Sequence, residues 1–118
     1  MSLRELEPKD VHEAIRAGSA VIIDVREPRE YATERLHGAS LYPLSTFDPR
    51  ALPIDKTRDV ILHCGSGKRS VDALKRCEKA GVPITAHVKG GLMAWKAAGL
   101  PTVAIDPATG RVIDPQKA

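Results

Sequence analysis

Two short, unbroken apolar runs constrain this chain more than any other feature: Ala20-Val21-Ile22-Ile23 and Val60-Ile61-Leu62. The first follows Gly18 too closely to be a helix. Each ends on polar residues, Asp24 in one case and His63-Cys64 in the other. A strand buried on both faces reads this way, because its side chains alternate and neither side meets water. Such strands belong to parallel sheets, whose crossovers need helices. The chain has 118 residues, 42% of them hydrophobic and only 3% aromatic, which fits one domain with a core of Val, Ile, Leu and Ala.

Helical segments fall between the strands. Val11, Ala14 and Ile15 recur at helical spacing, Pro8 suits a first turn and Gly18 a stop, so a helix is expected over about 9 to 17. Pro28 opens a short helix through Tyr31, Gly38 to Pro43 is briefly extended, and Ser45 to Leu52 reads as a loop with one helical turn. Val71, Leu74 and Cys77 share one face of a helix that Ser70 is expected to cap and Gly81 to stop. Ile84 to Val88 is the next strand, Gly90-Gly91 a turn, and Leu92 to Ala98 a short helix ended by Gly99 and Pro101. The alternation predicts an α/β fold, an open parallel sheet of about five strands with helices on both faces. Residues 1–101 form the expected domain. Residues 102–118 form a tail that is either a hairpin or a frayed end, and no function is read from it.

Charge narrows the partners. The net charge of +3 is spread over 18 basic and 15 acidic residues, with no basic run longer than Lys68-Arg69 and few aromatics, so no nucleic-acid partner is expected. No stretch reaches the roughly 18 apolar residues of a membrane span, and Met1 to Glu5 lacks a secretory layout, so a cytoplasmic protein with no membrane partner is expected. Two cysteines make a disulfide framework a poor reading. Cys77 lies on an apolar helical face and reads as core, which leaves Cys64 as the thiol to account for.

Cys64 stands at the carboxyl end of a strand, where ligands bind in open α/β sheets, and heads the loop Cys64-Gly65-Ser66-Gly67-Lys68-Arg69. Gly65 and Gly67 let successive N–H groups converge on one anion. The following helix start and the cations Lys68 and Arg69 favour a thiolate over a thiol. One cradle of this kind serves both halves of a ping-pong cycle, holding an anionic donor and then the charged sulfur it leaves behind. His63 is not assigned as a base, since strand alternation points it away from Cys64. Asp24 and Arg26 end the other strong strand at the same sheet edge, where they are expected to brace the loop.

These residues resemble the rhodanese (thiosulfate sulfurtransferase) homology domain in its single-domain form, from about Glu5 to Pro101. Asp24-Val25-Arg26-Glu27 with Glu30-Tyr31 looks like its first block, and Leu36-His37-Gly38-Ala39 with Pro43 its second. His63-Cys64 through Arg69-Ser70 matches the active-site block, and Gly90-Gly91 with Trp95, Gly99 and Pro101 the closing one. The resemblance implies a persulfide on Cys64 and a substrate cradle of Gly65, Ser66, Gly67, Lys68 and Arg69. Asp24, Arg26 and Ser70 would support it, and Trp95 would be structural. It implies no metal and no organic cofactor. The partners would be a small anionic sulfur donor and a thiol, cyanide or protein acceptor. The six residues from Cys64 to Arg69 match the sulfur-handling loop of the family, whereas related phosphatases carry seven. Gly65 stands where arginine is common, which leaves the donor open between thiosulfate and mercaptopyruvate. A non-catalytic binding module and a thiolate phosphatase or arsenate reductase are the competing readings.

Overall fold

The computed structural model describes residues 3–115. Strand β1 (Arg4–Leu6) leads into helix α1 (Pro8–Arg16), β2 (Ala20–Asp24) and α2 (Pro28–Thr33). Two short strands follow, β3 (Glu34–Arg35) and β4 (Ser40–Leu41). Beyond two single 3₁₀ turns, at Leu44–Thr46 and Pro49–Ala51, come β5 (Asp59–His63), α3 (Lys68–Lys79), β6 (Ala86–Val88) and α4 (Gly91–Ala97). The chain then runs through β7 (Val103–Ile105) and β8 (Val112–Ile113). Pro8 and Pro28 each occupy a first helical turn, where a missing N–H costs nothing.

Five strands form one sheet in the order β1-β6-β5-β2-β4, every neighbouring pair parallel. The expected architecture is therefore present. The two apolar runs are its central neighbours, paired along their whole length from Ala20 opposite Asp59 to Asp24 opposite His63. Alternation divides the core in two. Ile23, Val60 and Leu62 pack with Ala73, Leu74 and Cys77 of α3 on one face. Ile22, Ile61 and Val88 pack with Val11 of α1 and with Leu92 and Trp95 of α4 on the other. Each fully buried aliphatic side chain contributes about 1.5–3 kcal/mol, so these two layers carry most of the stabilisation. Trp95 closes the second layer, with Nε1 donating to Pro101 O at 2.9 Å and its ring edge-on to His12.

Several elements differ from the sequence expectation. The strand expected over 84 to 88 begins only at Ala86, because the Ile84 N–H turns back onto Val82 O before the chain enters the sheet. The expected single turn between residues 45 and 52 is two turns. Strand β1 was not anticipated; it pairs with β6 across the width of the sequence. β3 was likewise missed, and it joins β7 and β8 in a small antiparallel sheet that folds residues 103–113 back as a hairpin. No helix among the described residues is long and apolar enough to cross a membrane.

Candidate active site

Cys64 is the first residue beyond β5, and three residues later the chain is already entering α3. Gly67 stands just before that helix at φ 101°, a conformation most side chains avoid. The turn brings two backbone donors onto one sulfur: Gly67 N lies 3.1 Å from Sγ and Ser70 N 3.3 Å. Both sit at the start of α3, where N–H groups have no partner within the helix and carry its partial positive charge. Such a pair of donors suits a sulfur bearing negative charge.

Ser70 corrects an expectation. It does not cap the helix; Gly67 does, and Ser70 is the third residue of α3, with its amide on Sγ and its hydroxyl Oγ 3.6 Å from the same atom. That Oγ is also 2.7 Å from His87 Nδ1, and His87 Nε2 is 3.1 Å from Glu5 Oε2. Cys64 is completely buried, as are Ser70 and His87, while Ser66 and Lys68 of the loop are exposed. The sulfur thus lies at the floor of the loop and not at its rim.

The loop's carbonyls face away from this donor pair. Leu92 N–H donates to Cys64 O at 2.8 Å and Met93 N–H to Gly65 O at 3.0 Å, which satisfies two amides at the start of α4. A trans peptide sets its N–H opposite its C=O, so drawing these carbonyls to α4 turns the Gly65 and Ser66 amides the other way. The close approach depends on Gly91, at φ 60°, where a Cβ would sit 2.4 Å from Cys64 O and 2.8 Å from the Gly65 carbonyl. Backbone lies on both sides and cannot swing aside. Gly91→Ala is accordingly expected to push the loop off α4. Overpacking costs about 1–3 kcal/mol, and the left-handed backbone adds about 1 kcal/mol more. A denaturant midpoint equal to that of the wild type would show that the contact yields freely.

Arg69 ends the loop in a two-pronged ion pair, Nη1 to Glu30 Oε1 at 2.6 Å and Nη2 to Glu30 Oε2 at 3.0 Å. Hydrogen bonds from Arg69 hold the Glu30 carboxyl down at about 2, against the opposing effect of its partial burial. Glu30 is itself fixed by a reciprocal capping box with Glu27 at the start of α2. Sequence reasoning placed Glu30 in a motif but did not see it as the partner of Arg69. Lys68 is exposed and pairs with no carboxylate among the described residues.

Asp24 and Arg26 lie at the expected sheet edge, but they do not reach the loop. Asp24 accepts from Arg26 N at 2.9 Å, from Nε at 3.1 Å and from Nη2 at 2.8 Å, with both side chains buried. Arg26 Nη2 also donates to Glu34 O at 2.6 Å, which ties β2 to β3. His63 points to the sheet face opposite Cys64. Its Nδ1 is 3.3 Å from Cys64 O and its Nε2 3.5 Å from Asp24. Burial drives His63 towards its neutral form, outweighing the pull of Asp24. A neutral ring that donates Nδ1–H to Cys64 O leaves Nε2 without a hydrogen, so His63 and Asp24 are neighbours and not an ion pair. Cys77 is buried on the inner face of α3, and burial pushes its thiol up to about 11. Among the described residues no cluster of three or more His, Cys, Asp or Glu is placed to hold a metal ion.

The profile of the Rhodanese-like domain family matches residues 7–98 of the chain. The protein belongs to that family. An uncharacterized protein from Synechocystis is 41% identical over 96 residues, covering 81% of this chain and 54% of its own. A protein named sulfurtransferase from Allochromatium vinosum is 34% identical over 84 residues, covering 71% of this chain and 78% of its own. The crystal structure of a thiosulfate sulfurtransferase from Pseudomonas aeruginosa superposes with a TM-score of 0.75 at 28% identity, covering 85% of this chain and 20% of that one. The chain thus spans about half the length of the Synechocystis relative and a fifth of the Pseudomonas protein.

Proposed function

We propose that this rhodanese domain is a sulfurtransferase that carries sulfane sulfur as a persulfide on Cys64. The observation that carries the reading is the pair of amides, Gly67 N–H and Ser70 N–H, converging on Sγ at the start of α3. With thiosulfate as donor, the Cys64 thiolate attacks the outer sulfur. An Sγ–S bond forms, the S–S bond of thiosulfate breaks, and sulfite leaves with the electron pair. An acceptor thiolate or cyanide then attacks the terminal sulfur and returns Sγ as a thiolate. The cradle of Gly65, Ser66, Gly67, Lys68 and Arg69 holds the anionic donor, and Lys68 supplies its unmatched positive charge. Asp24 and Arg26 fix the sheet edge beside it. The relatives named sulfurtransferases support this class of chemistry, and the six-residue loop favours sulfur over phosphate.

Burial of Cys64 adds a condition. A donor meets the sulfur only when the loop gives way, and the glycines at 65 and 67 are the positions that let it. Incubation with thiosulfate is expected to raise the intact mass by one sulfur atom, and addition of cyanide to reverse it with release of thiocyanate. An unchanged mass with thiosulfate, mercaptopyruvate and a low-molecular-weight persulfide would remove the reading. Turnover of an aryl phosphate would replace it with thiolate phosphatase chemistry.

A further inference from the structure

A line of polar groups runs from the buried sulfur to the surface. Glu5, His87 and Leu62 stand in register across β1, β6 and β5, on the face that α3 covers. The row therefore places His87 beneath the start of α3, where Nδ1 meets Ser70 Oγ at 2.7 Å. Its Nε2 reaches Glu5 Oε2 at 3.1 Å, and the Glu5 side chain is half exposed while His87 is 1% exposed. Ser70 Oγ is in turn 3.6 Å from Sγ. A buried histidine in contact with both a hydroxyl and a carboxylate exceeds what the packing of a strand requires.

The partners fix the direction of the hydrogen bonds. A carboxylate only accepts, so Nε2 of the neutral ring carries the hydrogen and Nδ1 is an acceptor. Ser70 Oγ has two acceptors for its one proton, Nδ1 at 2.7 Å and Gly67 O at 3.2 Å; donating to the nearer, Nδ1, it presents a lone pair to the Cys64 S–H. We propose that Ser70 and His87 form a proton relay for Cys64. The S–H proton passes to Ser70 Oγ as the Ser70 proton passes to His87 Nδ1, leaving a thiolate, an intact serine and an imidazolium held by Glu5. The serine hydroxyl, carrying the proton that came from sulfur, then donates to Sγ. Glu5, 3.1 Å from Nε2, keeps the proton on His87, so thiolate and imidazolium stand as a pair across Ser70. Ser70 touches the reacting atom, whereas His87 and Glu5 are positioning residues that act through it. The inference rests on Cys64 being the reacting sulfur of the proposed function.

Other charges near the line are Lys68 and Arg69 at the start of α3, with Glu30 from α2 against Arg69. Arg4, beside Glu5 on β1, is turned to Asp59, and Lys89, just beyond β6, is turned to Glu7 of the segment before α1. Behind the strand, His63, Asp24 and Arg26 occupy the opposite face.

The test reads the sulfur directly, through the pH dependence of Cys64 alkylation by iodoacetamide, with peptide mass spectrometry to separate Cys64 from Cys77. Glu5→Gln is the decisive variant, since a half-exposed side chain on an edge strand can change without unfolding the protein. Through space alone, loss of a negative charge would favour the thiolate and move the midpoint to lower pH. The relay predicts the opposite sign, a midpoint moved up and alkylation below it slowed about threefold to tenfold. His87→Gln keeps a hydrogen-bonding side chain near Ser70 but cannot accept the proton. It should show the same upward shift with little change in melting temperature, whereas wild-type behaviour would mean that His87 only packs. A midpoint that stays or falls in Glu5→Gln overturns the relay even if thiosulfate loads Cys64 normally. A midpoint that rises in a protein taking up no sulfur sustains the relay and removes the sulfurtransferase reading.

Discussion

Cys64→Ser is expected to fold like the wild type and to show no mass increase with any sulfur donor. The serine hydroxyl accepts the Gly67 and Ser70 amides that now point at Sγ, so no buried donor is orphaned. The stability change should stay within about 1.5 kcal/mol, the net scale of one hydrogen bond. Chemistry is lost completely, because a hydroxyl is scarcely ionised at neutral pH and forms no persulfide. Cys77 offers no substitute: it is buried on the inner face of α3 near the end of that helix remote from the loop, and its thiol is pushed up to about 11. Intact-mass spectrometry after thiosulfate treatment, beside a denaturation curve, checks both halves. Sulfur retained on the folded variant would show that Cys64 is not the carrier.

Asp24→Ala is expected to produce the largest loss of stability among single changes in the chain. Asp24 is wholly buried and gives Arg26 three acceptor contacts, while the Arg26 side chain is only 5% exposed. Removing the carboxylate leaves a guanidinium in the interior with Glu34 O as its remaining partner. Breaking a buried pair by deleting one member costs about 3–5 kcal/mol, a large share of the roughly 5–15 kcal/mol that holds a domain folded. A urea titration should show a markedly lower midpoint. Replacing both residues with apolar side chains of similar volume should recover much of the loss, since no charge is then stranded. A drop below about 1 kcal/mol for Asp24→Ala would show that Arg26 finds water once its partner is gone.

The central sheet was legible because its strands are buried on both faces. Ala20–Asp24 and Asp59–His63 are short apolar runs rich in valine and isoleucine, each ended by a polar residue. The loop after β5 was legible for a local reason: its glycines, cations and cysteine are contiguous. Where the reading failed, the deciding contact came from afar. Arg4–Leu6 is a three-residue edge strand with two exposed residues, so its own sequence gives no alternation to detect. Serine before an apolar periodic stretch reads as a cap, yet Gly67 in the left-handed region starts the helix early and moves Ser70 inside it. The fork of Asp24 and Arg26 was expected to brace the loop, but Arg69 finds Glu30, 39 residues away, and the fork closes on itself. Glu5, His87 and Ser70 carry no local pattern either: the pairing of β1 with β6 brings the first two together, and the packing of α3 over β6 adds the third.

That pairing bears on how the molecule is made. Glu5 and His87 are separated by 82 positions, so the contact at the outer end of the line cannot exist until nearly the whole intervening chain has left the ribosome. Contacts of such long range are slow to close, because their entropy cost precedes any reward. The central strands β2 and β5 can pair sooner, with β1 waiting as an unpaired edge for β6. Cys64 and the amides that meet its sulfur belong to one loop and the helix after it, whereas the far end of the line closes only when the first strand finds the sixth.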